Sequence, residues 1–176
     1  MNDSCNVGKF RELFETRDTV ATEWKKKSGK KIVGCISAYI PEEIVYAAEF
    51  LPVEIIGRVE TFARADAYLP SFSCSFMRGF LEKLLENEYG YLDLIALPSL
   101  CDSIWGFYSI WQELSPDSRM YLLHYPSQRS KLALDYFVGV VTRFRSFIES
   151  LSGKVISDDD LRAAIEVYDQ NRKLLK

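Results

Sequence analysis

Apolar positions along this chain fall into two patterns: short uninterrupted runs, and longer stretches at helical spacing. The runs at 31–36, 52–57, 92–97 and 120–125 read as strands buried on both faces, because they show little polar alternation. Between and around them the spacing changes to three and four. Residues 7–27 predict a helix, with Phe10, Leu13, Phe14, Arg17, Ala21 and Trp24 recurring along it and Ser28-Gly29 ending it. Pro41, Glu42 and Glu43 open a second helix with Ile44, Ala47, Ala48 and Leu51 on one face. A third spans about 74–87, and a fourth carries Ile104, Phe107, Tyr108, Trp111 and Leu114. After Pro126 the strands stop. A long helix over 129–151 is expected to turn Leu132, Tyr136, Val140, Phe144, Phe147 and Leu151 inward. Ser157 caps a last helix, with Asp158, Asp159 and Asp160 in its first turn and Leu161, Ala164, Ile165, Tyr168 and Leu175 along its stripe.

Strands alternating with helices predict parallel pairing through right-handed crossovers. The expected fold is three-layer α/β with a four-stranded parallel sheet, plus an N-terminal helix and two long C-terminal helices. Its parts divide at 1–28, 29–128 and 129–176. The stretch from 58 to about 71 has no clear period, and a loop of that length in a compact domain is usually functional or mobile.

Composition narrows the partners. The 176 residues carry a formal net charge of −3, so no global basic field attracts nucleic acid. No apolar run reaches the length of a membrane span, and the N-terminus lacks the form of a signal peptide. The expected location is therefore cytoplasmic, where thiols stay reduced. His124 is the single histidine, which excludes sites built from several.

Cys5, Cys35, Cys74 and Cys101 form no CxxC pair. Cys101 directly follows an apolar run ended by Pro98, and Cys74 stands in a similar Leu69-Pro70-Ser71 setting before a helix. Both are expected at the carboxyl edge of the sheet, where ligands bind in open α/β folds, and facing one site. Cys35 lies within a strand and reads as core, while Cys5 is given no role. Ser37, just past the first strand, is a candidate hydrogen-bond donor; its other reading is a serine satisfying loop backbone. Arg64 and Arg78 flank the first cysteine segment as candidates for phosphates or an acidic partner, or as solvated surface. His124 ends the fourth strand and reads as a structural residue; Trp105, Phe107 and Trp111 read as packing.

Taken together, these segments resemble a known family. Tyr39-Ile40-Pro41-Glu42-Glu43-Ile44 with Ala47-Ala48 is similar to the opening of the 2-hydroxyacyl-CoA dehydratase D-component family, to which 2-hydroxyglutaryl-CoA dehydratase and benzoyl-CoA reductase subunits are related. Ala65-Asp66-Ala67-Tyr68-Leu69-Pro70-Ser71 followed by Cys74, and Leu97-Pro98-Ser99-Leu100-Cys101-Asp102, resemble its first two cluster-cysteine segments. Leu161, Ala164, Ile165, Tyr168, Asn171 and Arg172 match its inter-domain helix. The resemblance implies a Rossmann-like N-terminal half and a [4Fe-4S] cluster held by Cys74, Cys101 and a third cysteine. That third ligand belongs to a second domain, which this sequence is expected to stop short of.

The implied activity is radical-type dehydration of an (R)-2-hydroxyacyl-CoA (a lyase reaction of anaerobic metabolism), or a related one-electron acyl-CoA reduction. Ser37 would act at the thioester oxygen. The implied partners are an acyl-CoA substrate, a second dehydratase subunit and an ATP-dependent activator protein. The alternative is a non-catalytic truncated homologue that serves as a binding or assembly domain without a cluster.

Overall fold

Four short strands pair side by side, all parallel, in the order β2-β1-β3-β4. They are β1 (Ile32–Cys35), β2 (Leu51–Glu54), β3 (Leu94–Pro98) and β4 (Met120–Leu123). This computed structural model describes residues 7–37, 39–57, 59 and 61–174; Cys5 and Leu175 lie outside them. The inner strands β1 and β3 are buried at every position, as strands covered on both faces must be. Val33 pairs with Leu94 and Cys35 with Ala96, while Ile95 pairs with Met120 on the other side.

Alternate side chains feed two cores. Val33, Cys35, Leu94 and Ala96 face a layer made by α2 (Glu42–Ala47), α5 (Lys131–Ser152) and α6 (Asp158–Leu174). Ile36, Ile95 and Leu97 face α3 (Ser75–Leu85), α4 (Asp102–Leu114) and a 3₁₀ turn at Ala65–Ala67. The expected three-layer arrangement is therefore present. Among the described residues no helix is long and apolar enough to cross a membrane.

Two details depart from the expected pattern. Leu51 continues the helical spacing of Ile44, Ala47 and Ala48, yet it begins β2. The chain leaves the helix because Glu49 adopts a left-handed φ of 64°, after which the Leu51 amide donates to Lys31 O at 3.0 Å. On α5, Leu132 and Tyr136 are exposed and Phe137 packs instead. A spacing of four drifts by about 40° per step on a helix of 3.6 residues per turn. The buried stripe thus runs through Phe137, Val140, Phe144 and Ile148. Leu114 and Ile165 are also more exposed than their stripes suggest.

The helix α1 (Val7–Ser28) closes the amino edge. Lys25 Nζ lies 2.8 Å from the Asp93 carboxylate and donates to Tyr91 O at 2.7 Å, while Asp93 also accepts from the Ile32 amide. Ala21 is buried there, but Phe10, Leu13 and Phe14 are exposed.

At its start α6 carries a reciprocal cap. Ser157 Oγ accepts from the Asp160 amide at 3.1 Å, and the Asp160 carboxylate accepts from the Ser157 amide at 2.9 Å. The Ser157 hydroxyl, the Ser157 amide and Lys154 hold the Asp160 carboxyl down at about 2.

The seat of α3 is set by two glycines. A Cβ on Gly79 would overlap the carbonyl oxygen of Gly57, and one on Gly57 would overlap Phe76 O. The segment leaving β2 therefore runs with its backbone against the helix.

Gly79→Ala should lower stability by about 1–3 kcal/mol through overpacking, read as a lower urea midpoint. The contribution of Asp160 should be complete above its ordinary value of 3.8 and lost as pH falls through about 2. Faster amide exchange in the first turn of α6 in acid, abolished in Asp160→Asn, would record it.

Candidate functional site

In a parallel sheet every strand ends at the same edge. Here β1 delivers Ser37, β2 Glu54, β3 Ser99 and β4 His124 and Tyr125 to it. From β1 the chain crosses to β2 through α2 on one face; from β3 it crosses to β4 through α4 on the other. The crevice between the ends of β1 and β3 is thus a topological switch point, the place where open α/β sheets bind ligands. Ser37 and Cys101 flank it.

Cys74 is the N-cap of α3 and Cys101 the N-cap of α4, both with extended backbone and neither making a side-chain capping bond. Both helices return from the carboxyl edge, so both thiols stand on it. Phe80 and Phe107, each six residues past its cysteine, meet with ring centroids 5.1 Å apart. The two helices therefore run side by side with their starts level, and packed helix axes lie about 8–10 Å apart. Both thiols are exposed, whereas Cys35 is fully buried. Burial, and then the Glu42 and Glu54 carboxylates, raise the Cys35 thiol well above its usual range. Cys35 is a core residue, as its strand position suggests.

Two exposed thiols at adjacent positive helix ends are a fitting pair of soft ligands for iron. They do not make a complete set: among the described residues no group of three or more His, Cys, Asp and Glu converges as a metal site.

The segment ahead of Cys74 is held by Glu82, a residue that the sequence pattern had not singled out. This carboxylate is buried on α3 and accepts from the Arg64 amide at 3.0 Å and the Ala65 amide at 2.7 Å. The available signal was an acid set among the buried Leu81 and Leu84 on an apolar helix face. Arg78 donates to Asp66 at 2.8 Å and stacks 4.2 Å over the Phe62 ring, and the Arg64 guanidinium reaches Leu85 O. Both arginines are thus engaged within this segment.

Ser37 is half-buried at a left-handed φ of 70°, and its hydroxyl accepts from the Tyr39 amide at 3.5 Å. Such a backbone is uncommon for a residue with a side chain. His124 is exposed, its ring 5.1 Å from that of Trp105.

Past the loop that follows β1 opens a cleft of about 570 Å³ between Tyr39, Glu42, Glu54, Tyr125, Tyr168 and Arg172. Tyr125 ties it to both flanks of the switch point. Its hydroxyl donates to Tyr39 O, and its amide donates to Ser99 Oγ at 3.1 Å, two residues before Cys101. Burial pushes the Tyr125 phenol up to about 12. Burial first, then Glu43 and Glu54, raise the Glu42 carboxyl, while Arg172 opposes them. Another cleft, of about 530 Å³, lies at the amino edge near Asp93 and Arg119 and holds none of the candidates above.

Residues 37–176 match the family described as 2-hydroxyglutaryl-CoA dehydratase, D-component. A benzoyl-CoA reductase subunit of Thauera aromatica is 31% identical, the match covering 100% of this chain and 47% of that protein. The beta subunit of lactoyl-CoA dehydratase from Anaerotignum propionicum is 32% identical over 97% of this chain and 45% of its own length. The (R)-phenyllactyl-CoA dehydratase beta subunit of Clostridium sporogenes is 29% identical over 94% and 45%. The chain spans about half the length of the curated relatives it matches.

Glu82→Gln keeps the shape but sets an amide N–H₂ among amide donors. It should cost about 1–3 kcal/mol and speed thermolysin cleavage within 58–71. Unchanged cleavage there would show that the carboxylate does not hold the segment.

Proposed function

Because the chain belongs to the 2-hydroxyglutaryl-CoA dehydratase D-component family, we propose that it is the cysteine-bearing N-terminal part of a radical-type (R)-2-hydroxyacyl-CoA dehydratase or of a related enzyme that reduces an acyl-CoA. The observation that carries this reading is the pair Cys74 and Cys101, exposed on adjacent helix starts at the carboxyl edge.

In this reading Cys74 and Cys101 would hold a [4Fe-4S] cluster. The third cysteine comes from a second domain reached through residues 129–176, or from a partner chain. The cluster, when bound, supplies one electron at low potential. Such an electron is needed because the β proton of a 2-hydroxyacyl thioester is barely acidic, so acid–base catalysis alone fails. On the thioester carbonyl such an electron would let the α-hydroxyl leave as hydroxide and acidify the β proton; once that proton is lost the electron would be given back, so that the net change is loss of water.

The protein's own residues bind, orient and exclude water. Ser37, at the switch point, donates its hydroxyl to the thioester oxygen, where negative charge grows. Its left-handed backbone fits a side chain kept in place for such a task. Glu82 fixes the segment that leads into Cys74. The working assembly is cytoplasmic and includes an acyl-CoA, a second dehydratase subunit and an ATP-dependent activator that delivers the electron.

A second reading is a binding or assembly domain without a cluster.

Anaerobic iron and sulfide analysis, with and without a partner protein, separates the two. Bound iron that falls in both Cys74→Ser and Cys101→Ser, but not in Cys35→Ser, supports the enzyme; a colourless, iron-free protein in both preparations supports the binding domain. In the enzyme, Ser37→Ala should lower kcat by about 10²–10³-fold, the usual effect of losing an oxyanion donor.

A further inference from the structure

The cleft lined by Tyr39 and Tyr125 also bears on which acyl group the protein accepts. It adjoins the switch point through Tyr125, which bonds toward both the Ser37 loop and the Cys101 turn. Its volume of about 570 Å³ falls within the usual range for small-molecule sites. Tyr39, Tyr125, Phe137 and Tyr168 give it aromatic walls.

Its charges are one-sided. Glu42, Glu43 and Glu54 line it, and Arg172 is the cation among the described lining residues. That guanidinium is already bonded to Glu43, and to Asp169 at 2.7 Å. Glu42 registers the crowding: its carboxyl is raised by burial and then by the other two glutamates. A ligand carboxylate entering here would be desolvated against like charge, and among the described lining residues the one cation, Arg172, is already paired. An apolar or aromatic acyl chain would lie against the tyrosine and phenylalanine rings without adding a further negative charge. The same field disfavours the phosphates of CoA, which suits entry of the acyl end first.

We infer that this cleft holds the acyl end of an acyl-CoA and selects neutral acyl groups over those carrying a second carboxylate. The inference rests on the acyl-CoA reading above and adds the class of substrate to it.

The test is calorimetric titration of the complete protein, in the assembly in which it is isolated, with pentanoyl-CoA and glutaryl-CoA. The two have the same five-carbon acyl chain and differ by the terminal carboxylate. Pentanoyl-CoA should bind at least about tenfold more tightly. In the double variant Glu42→Gln/Glu54→Gln the ratio should shrink to within about threefold. Because it is a ratio, any loss of folded protein cancels. Equal or tighter binding of glutaryl-CoA overturns the inference, as does a ratio unchanged in the double variant; either result leaves the acyl-CoA reading standing. If neither thioester binds, the acyl-CoA reading itself falls and the inference with it.

Discussion

The contact on which this architecture turns is that of Gly57 with Gly79, where two backbones touch without side chains between them. It brings α3 against the chain leaving β2 and so fixes the height and direction of that helix. Three further placements depend on it. Cys74 takes its position as the cap of α3, Phe80 reaches Phe107 on α4, and Glu82 meets the amides of Arg64 and Ala65. A helix displaced by one methyl group would shift all of them together, since packed interiors transmit such displacements rather than absorb them.

The two edges of the sheet are built for different purposes. At the amino edge, α1 neutralises Asp93 with Lys25, and the same carboxylate anchors the Ile32 amide. Charges there are paired and the strand starts are held. At the carboxyl edge, two helix starts offer uncapped amides beside thiols, and three glutamates line the adjacent cleft with one arginine, which pairs with Glu43. Like charge gathered in this way is expensive, and such clusters concentrate at functional sites.

The sequence made the sheet legible because interior parallel strands must be continuous apolar runs; β3 is the clearest case, buried at all five positions. It also made the two cysteine turns legible, since each follows a proline and precedes a helical stripe. Other features could not be read so directly. Leu51 keeps the helical period, and only the backbone at Glu49 shows that the helix has ended. Tyr136 and Phe137 are neighbours of similar size, and the choice between them depends on helix rotation, which a spacing of four misjudges. Glu82 acts on main-chain amides, which have no signature in the residues they belong to. The acidic cleft gathers Glu42, Glu54 and Arg172 from segments far apart in the chain, so nothing local announces it.

Parallel pairing has a consequence for how the site comes into being. The inner strands β1 and β3 join residue 33 to residue 94, and no hairpin brings them together beforehand. Long-range pairing of this kind is slow, because the closure entropy is spent before contacts repay it. Ser37 and Cys101 follow those two strands directly, so they come together only when β1 and β3 pair. The two residues that flank the switch point are thus neighbours by long-range pairing and not by sequence.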